Sequence, residues 1–344
     1  GDPDKRPDVL LTTYGTLRRD SEQLSKLPWR VMVMDEAQAV KNTGTGAYAA
    51  AFSFPADRVI AMTGTPVENR LMEYWSIFSI VQPGLLGTAS DFRENFSVPI
   101  ENEHDPRAAE AFRKLVAPFM LRRMKTDKAI ISDLPDCIVQ DVMTTLLPEQ
   151  AYLYQEALTR NLDAISRAEA NSRDKQVKRR ALVLKLITEL KQICNSPSQY
   201  NKQWSETPDS AKAETLFELL DECRENGRKV LVFTQYREMG ELLQGWIAKK
   251  TGRKPEFLHG GVSVARRAVM VDDFQNNPDS HILLVSLKAG GTGLNLTAAS
   301  VVIHYDLWWN PAVESQASDR AWRIGQQRDV LVYRFVTEGT FEER

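Results

Sequence analysis

Two adjacent acidic residues are the first sign of chemistry in this sequence. Asp35 and Glu36 directly follow the short apolar run at residues 31–34. A carboxylate at a strand end can hold Mg²⁺ through its water ligands, and a second carboxylate can orient or deprotonate an attacking water. The pair therefore suits hydrolysis of a nucleotide bound with Mg²⁺. A helix cap is the alternative, because acidic side chains also accept hydrogen bonds from the first N–H groups of a helix.

A pair of arginines near the C-terminal end can neutralise phosphate charge. Arg320 and Arg323 stand three residues apart, so they share one face if they lie on a helix. Guanidinium groups placed there can stabilise the charge that develops on a transferred γ-phosphate. The alternative is a surface helix whose charged residues form salt bridges with one another.

Two segments of small residues follow apolar runs and can approach a ligand closely. Residues 288–295, with the sequence KAGGTGLN, form a glycine-rich segment whose backbone N–H groups can reach a phosphate or a sugar. Residues 63–66, with the sequence TGTP, follow another apolar run. Taken alone, each segment is also typical of an ordinary turn.

Short apolar strands are expected to position these residues. Runs of this length bounded by turn residues are typical of parallel strands buried on both faces. The first part of the chain has such runs at residues 9–14, 31–34 and 58–62, and the second part has them at 230–233, 257–259, 282–286, 301–306 and 330–336. Open α/β sheets bind ligands at the carboxyl ends of their strands. We therefore predict an α/β protein with two lobes of parallel sheet.

Helices are expected within and between the lobes. Apolar spacing predicts helices at residues 68–80 and 107–125, and one or two long helices over 149–195. The stretch 173–191 carries seven cations, and these form either a phosphate-facing surface or a solvated helix face. Residues 196–210 are polar and contain two prolines, which indicates a loop or linker.

Composition sets limits on the function. The chain has 344 residues, with 44 Lys and Arg against 46 Asp and Glu and a formal charge of −2, so any nucleic-acid contact must come from local placement of charge. The 42% hydrophobic residues argue against wholesale disorder. Three separated cysteines and four scattered histidines favour neither a disulfide framework nor a zinc site. No apolar run approaches the length of a membrane span.

Taken together and in this order, the motifs resemble the Swi/Snf-type branch of the superfamily-two helicase-like ATPases, the translocases of double-stranded DNA in remodelling and repair. The resemblance covers nearly the whole chain. It rests on DVLLTTYGTL (8–17), VMDEAQAVKN (33–42), MTGTPVENRLMEYWSI (62–77), PFMLRRMKTD (118–127), VLVFTQY (230–236), LHGGVSVARR (258–267) and SLKAGGTGLNLTAASVVIHYDLWWNPAVESQASDRAWRIGQ (286–326). The sequence D-E-A-Q and the segment Cys194-Asn195-Ser196-Pro197, in place of D-E-A-H and C-N-H-P, lean towards a prokaryotic member.

The resemblance implies a fold, a nucleotide site and a metal. Two RecA-like lobes with parallel sheets flanked by helices are expected, with helical protrusions and a first lobe truncated at its N-terminus. Residues 1–135 would be the remainder of the first lobe with a protrusion near 70–125, residues 136–210 a helical protrusion and linker, and residues 211–344 the second lobe. Asp35 would coordinate Mg²⁺ and Glu36 would act as the base or water positioner for ATP hydrolysis. Gln316, Arg320 and Arg323 would face the γ-phosphate, and Gly291, Gly293 and Asn295 would line the nucleotide.

The resemblance also implies residues for coupling and for DNA. Thr63, Gly64, Thr65, Trp309 and Asn310 would couple the nucleotide state to movement and to DNA. The expected contacts to the DNA backbone are Thr13, Thr234, Gln235, Ser263, Lys288 and Thr292. Double-stranded DNA, and protein complexes bound to it, are the implied partners. The implied location is the nucleoid of a prokaryotic cytoplasm, or the nucleus of a eukaryotic cell.

One departure from the family pattern is serious. The sequence contains no G-x-x-x-x-G-K-[ST] phosphate loop, whose lysine and hydroxyl residue hold the phosphates and Mg²⁺ in this family. We expect this loop to lie upstream of a chain cut from something longer, and we expect the 344 residues alone to be nearly inactive. Two alternatives stay open, a helicase that separates strands and a degenerate DNA-binding module without catalysis.

Overall fold

The protein forms two compact units, residues Gly1–Arg123 and Met124–Arg344. The structure, a computed structural model, describes residues 8–64, 70–123, 125, 134–171, 175–287 and 293–343, with the backbone alone for 168–171 and 175–177. Among the described helices, none combines the length and the apolar character that crossing a membrane requires.

The first unit contains a parallel pair of strands, β1 and β2, with helices packed on one face. Its first elements are α1 (Tyr14–Leu24), β1 (Trp29–Met34), a 3₁₀ turn (Ala37–Val40), α2 (Gly46–Phe52), β2 (Ala56–Ala61) and α3 (Met72–Val81). The strands pair with Val31 opposite Arg58 and Val33 opposite Ile60. The core beneath them contains Leu17, Met34, Val40, Tyr48, Ile77 and Ile80. Both strands were expected from their apolar runs.

A helical region completes the first unit. It comprises α4 (Ala89–Phe92), a π-helical turn (Arg93–Ser97), α5 (Val98–Glu101), α6 (Pro106–Val116) and a 3₁₀ turn (Ala117–Phe119). These helices close on an aromatic cluster formed with α3 by Tyr74, Phe78, Phe92 and Phe112. The predicted helix over 107–125 ends at Val116, two residues before Pro118, as the restriction on residues preceding proline would favour.

The predicted strand at residues 9–14 is wrong. Residues 9–13 have no regular structure, and α1 begins at Tyr14. The side chain of Thr13 accepts a hydrogen bond from the backbone N–H of Thr16 at 3.1 Å, which is the geometry of a helix N-cap. The hydroxyl residues that close the apolar run therefore start a helix instead of ending a strand.

The second unit is built on a six-stranded sheet in which every pairing is parallel. The order is β3-β8-β7-β4-β6-β5, with β3 (Cys137–Thr144), β4 (Lys229–Thr234), β5 (Glu256–Leu258), β6 (Ile282–Ser286), β7 (Ala299–His304) and β8 (Val330–Thr337). Apolar clusters cover both faces. The central strands β4 and β7 are almost completely buried, as their continuous apolar sequences predict.

The helices of the second unit agree with the expectation over 149–195, but residues 197–201 of the predicted loop or linker form a short helix. The helices are α7 (Pro148–Asn171), α8 (Lys175–Asn195), α9 (Pro197–Asn201), α10 (Ala211–Glu225), α11 (Arg237–Thr251), α12 (Val264–Asn276) and α13 (Pro311–Ser318). The region 149–195 is thus two long helices, and they pack together through Ala157, Leu186, Leu190 and Ile193. The edge strand β3 was not anticipated. It pairs with β8 from Cys137 opposite Val330 to Thr144 opposite Thr337, so the region 136–210 contains a strand as well as helices.

Candidate functional site

The acidic pair lies in a tight turn immediately after β1. Asp35 is exposed, and one of its carboxylate oxygens accepts the backbone N–H of Glu36 at 2.9 Å. Glu36 adopts a left-handed backbone conformation with φ 48°, which is unfavourable for a residue other than glycine. Its side chain makes no cap hydrogen bond to the 3₁₀ turn that follows. The helix-cap alternative therefore does not describe Glu36.

A chain of side-chain hydrogen bonds joins this turn to the end of β2. The amide nitrogen of Gln38 donates to the carboxylate of Glu36 at 2.7 Å. The hydroxyl of Thr63 donates to the amide oxygen of the same Gln38 at 2.6 Å. Gln38 thus connects two motifs that are 25 residues apart. It was not among the expected site residues, although its place in D-E-A-Q was the available signal.

Tyr14 connects the start of α1 to the same turn. Its hydroxyl donates to the backbone carbonyl of Asp35 at 2.7 Å. Burial, followed by the charges of Asp35 and Glu36, raises the pKa of Tyr14 to about 12, so the hydroxyl remains a donor at neutral pH. Thr13, the N-cap of α1, is exposed next to it. Hydrogen bonds in the first unit thus connect the turn of Asp35 and Glu36 to Thr63. Thr13 directly precedes Tyr14, which contacts the same turn.

Several expected residues lie outside the described part of the chain. They are Thr65, Lys288, Gly291 and Thr292. Their neighbours Gly64, Gly293 and Asn295 are described and exposed. Gly293 has φ 50°, a conformation in which a side chain would be strained.

The arginine segment does not form the expected helical face. Helix α13 ends at Ser318, and Arg320 and Arg323 follow in consecutive turns. The backbone N–H of Arg320 donates to Ala317 at 3.2 Å, and that of Arg323 donates to Ala321 at 3.1 Å, so the chain curls away from the helix axis. Arg320 is buried and Arg323 is exposed. Gln316 lies half-buried on α13 itself.

The side chain of Gln326 anchors the backbone around the arginine segment. Its buried amide nitrogen donates to the carbonyls of Thr297, Ala299 and Ala321, and its amide oxygen accepts the N–H groups of Gln327 and Arg328. One side chain therefore satisfies five backbone groups around the arginine segment. Such a polar anchor adds to the backbone hydrogen bonds of the turns that follow the helix. Sequence reasoning quoted Gln326 as part of the motif but gave it no role.

A buried histidine lies beneath the same segment. The Nε2 atom of His304 is 2.9 Å from the hydroxyl of Ser318, the last residue of α13, and its ring stacks on Phe233. Burial, and secondly the charge of Arg334, lowers the pKa of His304 to about 4. The imidazole is therefore neutral at physiological pH and acts as a packing and hydrogen-bonding group.

The expected DNA contacts at the end of β4 differ in accessibility. Thr234 is fully buried, and its hydroxyl donates to Asp306 at 2.5 Å, so a direct phosphate contact from this side chain does not fit. Gln235 is half-buried; its backbone N–H donates to Asp306 at 2.8 Å and its amide nitrogen to the carbonyl of Leu307 at 3.0 Å. Ser263 is exposed and caps α12 through the N–H of Arg266 at 3.3 Å.

The W-N-P segment joins α8 to α13. Asn310 caps α13 by accepting the N–H of Ala312 at 3.0 Å. The exposed ring of Trp309 lies 4.6 Å from the ammonium group of Lys191, the last cation of the basic stretch on α8. Trp308 instead packs against the core of the sheet. Within the basic stretch, Lys191 is buried while the described side chains from Lys178 to Arg180 are exposed, so the stretch is not one uniform surface.

The described residues contain no group of three or more His, Cys, Asp or Glu side chains that could cage a metal. This is compatible with Mg²⁺ bound for nucleotide chemistry, because Mg²⁺ usually takes one or two protein carboxylates together with phosphate oxygens and water. Asp35, exposed at the end of β1, is a suitable single carboxylate. The three cysteines are free thiols, as expected.

Comparison with protein families gives two matches that together span most of the chain. Residues 4–199 match the SNF2-related domain, and residues 211–325 match the helicase conserved C-terminal domain. Bacillus subtilis YwqA, whose name describes an ATP-dependent helicase/translocase, is 41% identical over 98% of this chain and 36% of its own length. The rice DNA excision repair protein CSB is 33% identical over 98% of this chain and 29% of its own length. The chain thus spans about a third of the length of these curated relatives.

Solved structures agree with these matches. The Sulfolobus solfataricus SWI2/SNF2 ATPase core in complex with dsDNA is 38% identical, with a TM-score of 0.54 over 99% of this chain and 71% of that one. The isolated C-terminal domain of that ATPase is 33% identical, with a TM-score of 0.51 over 60% of this chain. The resemblance and the RecA-like fold expected from the sequence are confirmed. The chain belongs to the family of SNF2-related, helicase-like ATPases.

Proposed function

We propose that this chain forms most of the motor of an enzyme that hydrolyses ATP to translocate on double-stranded DNA. The observation that carries the proposal is the hydrogen-bonded chain from Glu36 through Gln38 to Thr63. It connects the acid expected to act on the attacking water with the motif expected to sense the nucleotide state. Family membership supports ATP use, and the relative solved with dsDNA supports the choice of polymer.

The acidic turn would serve the nucleotide in two ways. Asp35 would hold Mg²⁺, which supplies positive charge to the phosphates when it is bound. Glu36 would orient the attacking water and accept its proton. Because Gln38 donates to the carboxylate of Glu36, it limits the directions in which the remaining lone pairs can point. Loss of either hydrogen bond of Gln38 would uncouple Glu36 from Thr63.

The second unit would contribute positive charge at the γ-phosphate. Gln316, Arg320 and Arg323 are the residues assigned to this position, with Gly291, Gly293 and Asn295 along the nucleotide. Turns held by Gln326 keep the two arginine backbones in place. Preorganised guanidinium groups of this kind stabilise transition-state charge without reorganisation at the moment of reaction.

Contacts to DNA would be made chiefly to phosphates. Thr13 and Ser263 are exposed hydroxyl residues at helix N-termini, where backbone N–H groups also favour anions. Gln235 would add an amide from the end of β4. Such contacts position a protein on the duplex without reading its sequence, so binding should tolerate any sequence and weaken steeply with salt.

The missing phosphate loop motif has a consequence for activity. Without the lysine and hydroxyl of that loop, Asp35 and Glu36 lack the groups that hold the phosphates beside them. We therefore propose that the 344 residues alone turn over ATP poorly, and that an N-terminally extended protein carrying the loop is active.

The test is ATP turnover by the chain and by the extended protein, each with and without duplex DNA. Turnover stimulated by DNA in the extended protein alone is the expected result, and Glu36→Gln should abolish it. Glu22→Gln, an identical change at an exposed position of α1, is the matched control and should leave turnover unchanged. Turnover in neither protein would favour the non-catalytic binding module. Separation of the strands of a forked duplex would favour a true helicase.

A further inference from the structure

Asp306 is a wholly buried carboxylate that the nucleotide and DNA assignments do not use. It lies just after β7, in the part of the second unit where the strands end. Burial raises its pKa, and the hydrogen bonds from Thr234 and the Gln235 backbone oppose that shift. Burying a carboxylate is costly compared with an apolar side chain of similar size, so its hydrogen bonds must serve the structure in a specific way.

Three groups from two other elements converge on this carboxylate. One oxygen accepts the backbone N–H of Gln235 at 2.8 Å. The other accepts the hydroxyl of Thr234 at 2.5 Å and the side-chain amide of Asn195 at 3.1 Å. Thr234 ends β4, and Asn195 ends α8. Asp306 thus ties together the ends of β4, β7 and α8.

Gln235 is held at both ends by this arrangement. Asp306 fixes its backbone N–H, and the carbonyl of Leu307 accepts its side-chain amide at 3.0 Å. Its amide nitrogen carries two N–H groups: one is held by the carbonyl of Leu307, and the other can donate to a phosphate oxygen. The orientation of the Gln235 side chain therefore depends on the positions of the Asp306 carboxylate and the Leu307 carbonyl.

The same junction reaches the W-N-P segment. The ammonium group of Lys191 donates to the carbonyl of Leu307 at 2.6 Å and lies over the ring of Trp309. The hydroxyl of Tyr305 donates to the backbone carbonyl of Asn195 at 2.8 Å. Helix α8 is therefore joined to the chain segment 305–309 by a series of side-chain hydrogen bonds around Asp306.

We propose that Asp306 is a positioning residue for DNA engagement: it sets the orientation of Gln235 and transmits the position of α8 to it. The assignment rests on the proposed function, because Gln235 is a DNA contact only if the protein is a DNA-dependent motor. Asp306 itself is buried and touches neither DNA nor nucleotide. Its effect is expected in the amount of DNA needed for stimulation more than in the maximal rate.

The principal test is Asp306→Asn in the full-length protein, with ATP turnover measured against duplex DNA concentration. The new amide places an N–H₂ group against the N–H₂ group of Asn195, so the junction should open. The half-saturating DNA concentration should rise roughly tenfold, which corresponds to the loss of about one charge-assisted hydrogen bond. Maximal turnover should fall much less. Asp141→Asn is the matched control. Asp141 lies on the edge strand β3, where its carboxylate pairs with Arg334 of β8 and has no bond to Gln235.

A swapped pair separates positioning from simple loss of stability. In Asp306→Asn combined with Asn195→Asp, the amide at 306 can donate to the new carboxylate at 195, while its oxygen still accepts the N–H of Gln235. The half-saturating DNA concentration should return towards that of the unchanged protein. If loss of stability alone were the cause, the half-saturating DNA concentration of each variant would instead follow its thermal unfolding temperature.

Three results would overturn the inference, and they are distinguishable. If the unchanged protein shows no stimulation by duplex DNA, the proposed function fails and the inference falls with it. If stimulation is normal and folded Asp306→Asn keeps the same half-saturating DNA concentration, the inference alone fails. Should Asp306→Asn not fold, Thr234→Val removes one donor to Asp306 and should raise that concentration severalfold above Thr234→Ser, which keeps the donor. Equal values for the two Thr234 variants would also overturn it.

Discussion

The strands of the two units have similar apolar sequences but are buried to different degrees. In the first unit, Val33 and Ile60 are 55% and 50% exposed on one face of the pair β1 and β2. In the second unit, Val232 and Ile303 are both 0% exposed in the neighbouring strands β4 and β7. A continuous apolar run therefore predicts a parallel strand in both units. Whether both faces are covered depends on what packs against them, and the run itself does not show this.

The difference extends to how each unit holds its proposed catalytic groups. The acidic turn after β1 depends on polar contacts from Tyr14 and Gln38 and on a strained backbone at Glu36. The arginine segment follows a sheet with apolar clusters on both faces, and the Gln326 side chain anchors it. The two sites therefore differ in what holds them in place. Differential mutations can test this contrast.

The largest effects are expected at the two arginines. Arg320→Ala and Arg323→Ala should each lower DNA-stimulated ATP turnover by about 10³-fold, because each removes a positive charge expected at the transferred phosphate. Only Arg320→Ala should also destabilise the second unit, since Arg320 is buried and Arg323 is exposed. Turnover and thermal unfolding of both variants, measured in the N-terminally extended protein, provide the comparison.

Lysine substitutions serve as controls for charge. Arg320→Lys and Arg323→Lys keep a cation but lose the planar fork, so they should recover only part of the turnover. Normal turnover in either alanine variant would contradict the assigned role of that arginine.

The contrast between the two sheets predicts a smaller, matched effect on stability. Ile303→Ala should cost about 2–5 kcal/mol, because it leaves a cavity in a strand covered on both faces. Ile60→Ala should cost well under half as much, since the side chain already meets solvent. Hydrogen exchange of backbone amides in β7 and β2 measures the stability of each unit separately. A single unfolding curve would combine the two units.

The same measurement in an N-terminally extended protein sharpens the comparison. If additional elements cover the open face of β1 and β2, the cost of Ile60→Ala should approach that of Ile303→Ala. Equal and small costs for both residues, in either protein, would show that the second sheet is not the tightly packed element described above.

The sequence allowed reliable prediction wherever one physical signal was dominant. Residues 282–286 are a strand over that same span, and the long helices predicted within 149–195 are present. Errors arose where two signals competed. The run at 9–14 has strand composition, but the hydroxyl of Thr13 caps a helix instead. Edge strand β3 is poorly buried, and Gln140 and Asp141 interrupt its apolar sequence, so no continuous apolar run marked it.

At the candidate sites too, prediction succeeded where one signal was dominant and failed where two signals competed. Asp35 and Glu36 were identified by their position after an apolar strand, and that strand is present. The spacing of Arg320 and Arg323 suggested a shared helical face, but the helix ends at Ser318 and backbone hydrogen bonds form turns there instead. Thr234 lies in the expected motif yet is buried against Asp306. Motif position locates a residue along the chain, whereas long-range hydrogen bonds decide which of its atoms are accessible.

A further comparison of the two units concerns pH, whose effect on stability should be confined to the second unit. Burial lowers the pKa of His304 from 6.5 to about 4. Between pH 6.5 and pH 4 this imidazole is therefore protonated in the unfolded chain and neutral in the folded one. Stability should therefore fall as the pH is lowered from 7 to 5, by about 2 kcal/mol. Hydrogen exchange in β7 should show this loss, and His304→Gln should remove most of the pH dependence while keeping a partner for Ser318. Because His304 lies in the second unit, exchange in β1 should change little over the same range. An equal pH dependence in both sheets would mean that His304 is not its source.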